Sequence, residues 1–151
     1  AATQRPHEGV HVQRIVRRLH VAAGPTVPAV VVLGDGTLLA TCRTGSTKDG
    51  DDDTIEFYRS DDNGWNWSGP GRPWMAPEIK GFRGSLKSCY LTELSPGRLL
   101  AACLWVDRES YPGCGLFNPE TEGCLPLAIL LSESTDLGLD GPPGEWFLYQ
   151  K

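Results

Sequence analysis

One stretch of the sequence, Arg59–Trp67, constrains the fold of this chain more than any other. It follows Thr54–Tyr58, a segment that alternates and is rich in strand-forming residues. Within the stretch, Ser60 and Asp62 have side chains that can hydrogen-bond the backbone of their own turn. Gly64 permits the positive φ that a tight turn needs. The stretch therefore predicts the tip of a β-hairpin.

Three further segments are predicted to be strands beside Thr54–Ser60. Ala29–Leu33 is a continuous apolar run, and Thr37–Arg43 follows it after a tight glycine-rich turn. Trp67–Trp74 begins with a large apolar anchor, but two prolines interrupt it, which indicates an outer edge strand. Four antiparallel strands within about 45 residues correspond to one blade of a β-propeller.

Part of this pattern occurs twice. Leu33–Ala40 and Leu94–Ala101 share a first leucine, a fourth glycine and a final Leu-Leu-Ala. We call the offset between these two segments the strand shift; it relates Leu39 to Leu100. Repetition of a unit at a fixed offset is the signature of a repeat architecture. The second half of the chain is therefore predicted to form a second unit of the same type.

A degenerate copy of the hairpin turn supports this second unit. The spacing Ser-x-Asp-x-Gly returns at Ser134, Asp136 and Gly138, while the expected tryptophan is delayed to Trp146. We call this offset the turn shift; it relates Ser60 to Ser134. The turn shift is larger than the strand shift, so the second unit contains extra residues. They fall in Asp107–Leu125, a Pro- and Gly-rich segment of the kind that tolerates insertion.

We therefore predict an all-β fold that supplies two four-stranded antiparallel blades of a six-bladed β-propeller. Residues 23–77 would form the first blade and residues 78–151 the second, truncated blade, while residues 1–22 would include the strand that closes the last blade. A closed propeller needs about four to eight blades. We expect the missing blades to come from the rest of a longer chain; a ring-closing oligomer and a small β-sandwich are the alternatives.

Composition and charge limit the classes of function that this chain can have. The formal charge of −5 argues against nucleic acid as a partner, and no run approaches the length of a membrane span. The five cysteines have no C-x-x-C spacing, and Asp49 does not begin an EF-hand, so we expect neither a metal nor another cofactor. Cys114 and Cys124 could pair in an oxidising compartment. No signal peptide is visible and the chain does not begin with Met, so localisation stays open.

Strand direction predicts where a functional site would lie. The loops Gly45–Asp53 and Asp107–Leu125 share one end of the blades, opposite the hairpin turns, and long loops on a rigid scaffold carry function. An acidic sugar needs guanidinium groups for its carboxylate, a carboxylic acid for proton transfer and an aromatic face. The alternative is a solvated acidic loop that protects a sheet edge. The candidate residues at this end are Arg43, Asp49, Asp51, Asp52, Asp53, Trp105, Asp107, Arg108 and Glu109.

The spacing Ser-x-Asp-x-Gly-x-x-Trp matches the Asp-box of sialidase-like β-propellers. Pro28–Trp67 resembles the first blade of sialidases, and Asn118–Gly123 resembles uncharacterised bacterial members with Asp-box repeats. The resemblance implies that Asp49 is the acid/base and Arg43 a carboxylate-binding arginine. Further substrate contacts would come from Asp51, Trp105, Asp107 and Arg108. The structural Asp-box residues would be Ser60, Asp62, Gly64 and Trp67 in the first blade and Ser134, Asp136, Gly138 and Trp146 in the second.

This chain also departs from the family pattern. Thr26 stands where the family has its first arginine, and the nucleophilic Tyr–Glu pair and the third arginine would belong to later blades. The expected function is that of a sialidase-like glycoside hydrolase acting on a terminal acidic sugar, or a fragment of one, and this chain alone is expected to be inactive. The alternative is a non-catalytic Asp-box propeller that binds glycan or protein.

Overall fold

The computed structural model describes residues 27–135 and the backbone of residues 147–149. All of the regular structure in these residues is β-strand, and they include no helix. The strands are β1 (Ala29–Val32), β2 (Leu38–Thr44), β3 (Thr54–Ser60), β4 (Ser68–Gly71), β5 (Gly84–Ser95), β6 (Arg98–Asp107), β7 (Phe117–Asn118), β8 (Gly123–Cys124), β9 (Leu127–Ser134) and β10 (Phe147–Tyr149).

The strands form two four-stranded antiparallel sheets and one small hairpin. Sheet 1 has the order β1-β2-β3-β4, and sheet 2 has the order β5-β6-β9-β10. The β7–β8 hairpin is inserted between the second and third strands of sheet 2. The predicted all-β class and the two four-stranded antiparallel sheets are confirmed. Neither sheet closes on itself.

The strand bounds follow the sequence pattern closely. The third strand covers Thr54–Ser60, as its run of strand-forming residues predicted, and most of its side chains are buried. The fourth strand is shorter than predicted and covers only Ser68–Gly71. Pro70 and Pro73 explain this, since a proline has no N–H to donate to a neighbouring strand.

The two sheets stack through one shared hydrophobic core. Sheet 1 contributes Leu39 and Ile55, which are fully buried, and sheet 2 contributes Leu86, Cys103 and Leu130. Strand β5, the first strand of sheet 2, lies against β1, β2 and β3. Burial of these side chains is the main force that holds one sheet on the other, because each sheet alone would expose an apolar face.

The internal repeat is preserved in the strand registers. In sheet 1, Thr41 lies opposite Phe57, and in sheet 2 Ala102 lies opposite Leu131. The strand shift relates Thr41 to Ala102, and the turn shift relates Phe57 to Leu131. Sheet 2 is therefore built like sheet 1, with a longer connection between its second and third strands.

The turn between β3 and β4 is a compact hydrogen-bonded corner. Ser60 Oγ donates to Asp62 Oδ1 at 2.9 Å and accepts from the N–H of Gly64 at 2.8 Å. The backbone N–H of Asn66 donates to Asp62 Oδ1 at 2.8 Å, and this contact contributes most to holding the pKa of Asp62 below its usual range. Trp67 Nε1 donates to the carbonyl of Gly64 at 3.2 Å. The corner is thus closed on both sides of Gly64, whose φ is 82°.

Part of the predicted second unit falls outside the described residues. The same holds for the segment 1–22 and Thr26, and in the degenerate turn for Asp136, Gly138 and Trp146. Ser134 is described and is the last residue of β9, opposite Leu99 of β6. It therefore occupies the position in sheet 2 that Ser60 occupies in sheet 1, where Ser60 lies opposite Leu38.

Removing the Ser60 hydroxyl tests how much the corner stabilises the fold. We expect Ser60→Ala to lower the free energy of unfolding by about 1 kcal/mol, because the N–H of Gly64 loses its acceptor at a buried side chain. Urea denaturation followed by tryptophan fluorescence measures the change. The control is Ser68→Ala, which removes only a 3.3 Å bond from an exposed hydroxyl and should cost less. Equal losses in the two variants would contradict the structural role of Ser60.

Candidate functional site

A buried cluster of charges joins the two sheets at the end that carries the long loops. Asp53, the residue directly before β3, has a fully buried side chain and pairs with Arg43 of β2 at 3.1 Å. Its other oxygen pairs with Lys87 of β5, which belongs to the opposite sheet. Lys87 Nζ also donates to the carbonyls of Lys48 and Gly50, each at 3.4 Å. The loop between β2 and β3 is therefore fastened to sheet 2.

The electrostatics of this cluster are those of a buried ion network. Burial lowers the pKa of Lys87, and the hydrogen bond from its ammonium group to Asp53 acts in the opposite direction. Arg43 is 4% exposed and donates to the carbonyl of Lys48 and to Asp53, while its Nε has no partner among the described residues. The predicted substrate-binding residue Arg43 thus lies inside the protein, with its guanidinium group directed to Asp53.

A cleft of about 320 Å³ opens beside the cluster. Two carboxylates, two guanidinium groups and a short apolar segment surround it. Its lining residues are Asp51, Ala76, Pro77, Glu78, Arg83, Gly84 and Arg108. Because Asp51 belongs to the β2–β3 loop and Arg108 follows β6, the cleft lies where the long connections of both sheets meet. The sequence-predicted residues Asp51 and Arg108 are brought together here.

Arg108 is the most fixed polar side chain of the cleft. Its Nε donates to Ser85 Oγ at 3.0 Å, and its backbone N–H donates to the carbonyl of Arg83 at 3.0 Å. Its Nη2 is buried and has no hydrogen-bond partner among the described residues. A guanidinium N–H that is shielded from water and unpaired is costly, so this group is suited to donate to a ligand oxygen.

The wall of the cleft is organised by Trp105. Its indole is 4% exposed, and Nε1 donates to the carbonyl of Pro77 at 2.9 Å. A Cβ atom on Gly84 would fall on the Trp105 ring, so the backbone at this position packs directly on the indole. The predicted sugar-stacking residue Trp105 therefore lies behind the lining, where its indole N–H fixes the position of the Pro77 carbonyl.

The remaining predicted residues have separate surroundings. The Asp107 carboxylate accepts from Ser110 Oγ at 2.7 Å and from two backbone N–H groups, and these bonds hold its pKa below its usual range. Asp107 thus shapes the loop that follows β6. Asp52 accepts from Ser46 and fixes the β2–β3 loop in a similar way. Asp49 is exposed on that loop and is not among the residues that line the cleft.

Three participating residues were not predicted from the sequence. Lys87 occupies a strand position next to the register shift between Leu86 and Ser88, which the sequence pattern does not reveal. Glu78 and Arg83 lie in the connection between the sheets, and Arg83 contacts Glu109 at 3.5 Å. The signal that was available is the charged Pro-Glu-Ile-Lys segment between the two sheets, because a connection from the fourth strand of one antiparallel sheet to the first strand of the next also reaches this end.

The described cysteines are free thiols. Cys42, Cys89 and Cys103 are buried, whereas Cys114 and Cys124 are exposed in the connection that carries the β7–β8 hairpin. The described residues contain no group of three or more His, Cys, Asp and Glu arranged to hold a metal ion. None of their elements is a helix of the length and apolarity that crossing a membrane requires.

Comparison with known proteins adds no family assignment. Neither a scan against protein-family models nor a search of curated proteins finds a match for this chain. The geometry of the cleft and the repeat of the two sheets therefore carry the functional argument.

Neutralising Asp53 tests the role of the charge cluster. We expect Asp53→Asn to lower the free energy of unfolding by about 3 kcal/mol or more, because Arg43 and Lys87 would be left buried without a counter-charge. Urea denaturation measures the loss. The matched control is Asp51→Asn, an exposed position two residues away, where the change should stay within about 0.5 kcal/mol. A mild effect at both positions would refute the proposed importance of the cluster.

Proposed function

We propose that this chain supplies two adjacent blades of an Asp-box β-propeller that binds an acidic carbohydrate in the cleft beside Arg108. Two observations support the architecture: the sheets have the same registers after the repeat shifts, and they stack face to face through one core. Sheets of four antiparallel strands that stack in series are the construction of a propeller.

The single observation that carries the ligand assignment is Arg108, which lines the cleft and whose buried Nη2 has no hydrogen-bond partner among the described residues. A carboxylate oxygen of the ligand would complete the hydrogen bonding of this guanidinium group, which Ser85 already orients. Asp51 and Glu78, which also line the cleft, can accept hydrogen bonds from sugar hydroxyls. A volume of about 320 Å³ is at the lower limit of small-molecule sites, which suits one sugar unit.

The geometry favours binding over hydrolysis. The resemblance to sialidases implies that Arg43 holds the substrate carboxylate. Its guanidinium group is instead engaged with Asp53 inside the protein. Trp105 packs behind Gly84 and presents no open face to a sugar ring. The cleft therefore offers groups that orient a ligand. None of the described residues that line it is a tyrosine that could form the Tyr–Glu nucleophile pair of the sialidases.

A glycoside hydrolase is the second candidate. The observation that favours it is that Asp51 lines the cleft, because Asp49 lies two residues earlier on the same loop. A ligand larger than the cleft would extend over this loop. Asp49 would then act as the acid that protonates the leaving oxygen, with the remaining catalytic groups supplied by further blades.

Substitution of Arg108 tests the binding proposal. We expect the chain to bind a sialyl glycoside more tightly than the matching neutral galactoside, and Arg108→Ala to weaken sialoside binding about tenfold, because one charge-assisted hydrogen bond contributes ~1.5 kcal/mol. Isothermal titration calorimetry measures both affinities. Arg98→Ala is the control, since Arg98 pairs with Glu133 away from the cleft. No preference for the acidic ligand, or equal binding by Arg108→Ala, would overturn the proposal.

A turnover assay separates the two candidates. We expect the chain to bind the sialoside without releasing the fluorophore from a fluorogenic sialoside. Release that is lost in Asp49→Ala but retained in Asp61→Asn, whose carboxylate pairs with Arg59 away from the cleft, would instead establish the hydrolase and assign the acid to Asp49. Release that persists in Asp49→Ala would discard that role.

A further inference from the structure

The acidic run Asp51–Asp53 divides its three carboxylates between two roles. Asp53 is buried in the charge cluster that joins the two sheets, and Asp52 accepts hydrogen bonds from the backbone N–H and the hydroxyl of Ser46. Asp51 lines the cleft, and its carboxylate has no hydrogen bond or ion pair with another described residue. Two carboxylates of the run therefore fix the loop, and the third is left available at the cleft.

The backbone on both sides of Asp51 is held in place. The carbonyl of Gly50 accepts from Lys87 Nζ at 3.4 Å, and the carboxylate of Asp52 is bonded to Ser46. A group that is fixed before a ligand arrives loses less conformational freedom on binding. The unpaired carboxylate of Asp51 thus belongs to a preorganised segment.

Glu78 supplies a second carboxylate to the same cleft. It is exposed and has no partner within residues 27–135. Its backbone is also fixed on both sides, because the Pro77 carbonyl accepts from Trp105 Nε1 at 2.9 Å and Ile79 exchanges two hydrogen bonds of 3.0 Å with Phe82. Two preorganised carboxylates therefore line one small cleft.

The two guanidinium groups of the cleft do not neutralise these carboxylates. Arg83 contacts Glu109 at 3.5 Å, Arg108 Nε donates to Ser85, and no ion pair joins either arginine to either carboxylate. Like charges in one cleft repel each other, and a cationic group of a ligand would relieve this repulsion. Hydrogen bonds between charged groups are also roughly twice as strong as those between neutral groups. The cleft is therefore suited to a ligand that brings a positive charge.

An ammonium group fits this pair of acceptors better than a metal ion does. The part of the chain that the structure describes has no set of three or more His, Cys, Asp and Glu side chains that could hold a metal. An ammonium group is a compact charge with three N–H donors and imposes no coordination geometry on its partners. Two carboxylates can therefore bind it without a third protein ligand.

We infer that the ligand of this cleft is a zwitterion, namely a sugar acid that carries a free amino group. Its ammonium group pairs with Asp51 and Glu78, and its carboxylate accepts from Arg108. The inference rests on the proposed function, because it assigns a class of ligand to the same cleft. It adds a cationic group to the acidic sugar, so that the unpaired charges of both signs in the cleft find partners.

Two sugar acids that differ in one group test this inference. The probes are the methyl glycoside of neuraminic acid, which has a free amino group, and its deaminated analogue, in which a hydroxyl replaces that group. We expect the chain to bind the amino compound about fivefold more tightly, which corresponds to ~1 kcal/mol and is the upper range for an exposed charge pair. Isothermal titration calorimetry measures both affinities, and the preference should shrink as salt is added.

Substitutions at the two carboxylates test whether they cause the preference. Asp51→Asn and Glu78→Gln should each reduce the preference for the amino compound and leave the affinity for the deaminated analogue unchanged. The control Asp61→Asn, whose carboxylate pairs with Arg59 away from the cleft, should keep the full preference. Arg108→Ala should weaken the binding of both probes by the same factor, because both carry the carboxylate.

The possible outcomes separate this inference from the proposed function. Equal affinity for the two probes, with binding that still depends on Arg108, would overturn the zwitterion and leave the proposed function intact. A preference for the amino compound that survives both Asp51→Asn and Glu78→Gln would also overturn the zwitterion. Methyl glucosaminide is a cationic sugar without a carboxylate. If it bound as tightly as the amino sugar acid, the contact between Arg108 and a ligand carboxylate, on which the proposed function depends, would be rejected.

Discussion

The fold depends on one arrangement: two antiparallel meanders that share a single core and are locked at one end by a buried carboxylate. Asp53 carries the only negative charge that touches both Arg43 and Lys87 in the described cluster, and Lys87 comes from the other sheet. Apolar burial holds the sheets together but does not fix how far one slides over the other. The ion pair between Asp53 and Lys87 is directional and restricts this sliding, and it lies beside the cleft. The position of Arg108 relative to Asp51 follows from it.

Much of this fold could be predicted from the sequence, because its strands obey simple rules. Thr54–Ser60 is rich in strand-forming residues, and the hairpin corner has its serine, aspartate and glycine at a fixed spacing. The internal repeat predicts a second unit of the same type. Loop placement at one end also followed from strand direction, and the contact between Lys87 and the β2–β3 loop agrees with it. These features are local or periodic, so one sequence contains them.

The site was harder to predict, because it depends on burial and on contacts between distant residues. Arg43 and Asp53 were both candidates for a surface site, yet they neutralise each other within the protein. Trp105 was expected to face a sugar, but it packs in the core shared by the two sheets. Lys87 lies in β5, where a register shift interrupts the alternation. Residue spacing in the sequence does not reveal any of these contacts.

The packing of Gly84 on Trp105 limits how this cleft can diverge. Any side chain at position 84 would have to displace an indole that is itself held by the carbonyl of Pro77. Position 84 therefore does not tolerate a larger residue. The neighbouring positions 51, 78 and 83 are exposed to solvent and can accept substitutions. Homologous clefts should therefore differ in charge along their rim while keeping the same depth, so that ligand preference can change without rebuilding the scaffold.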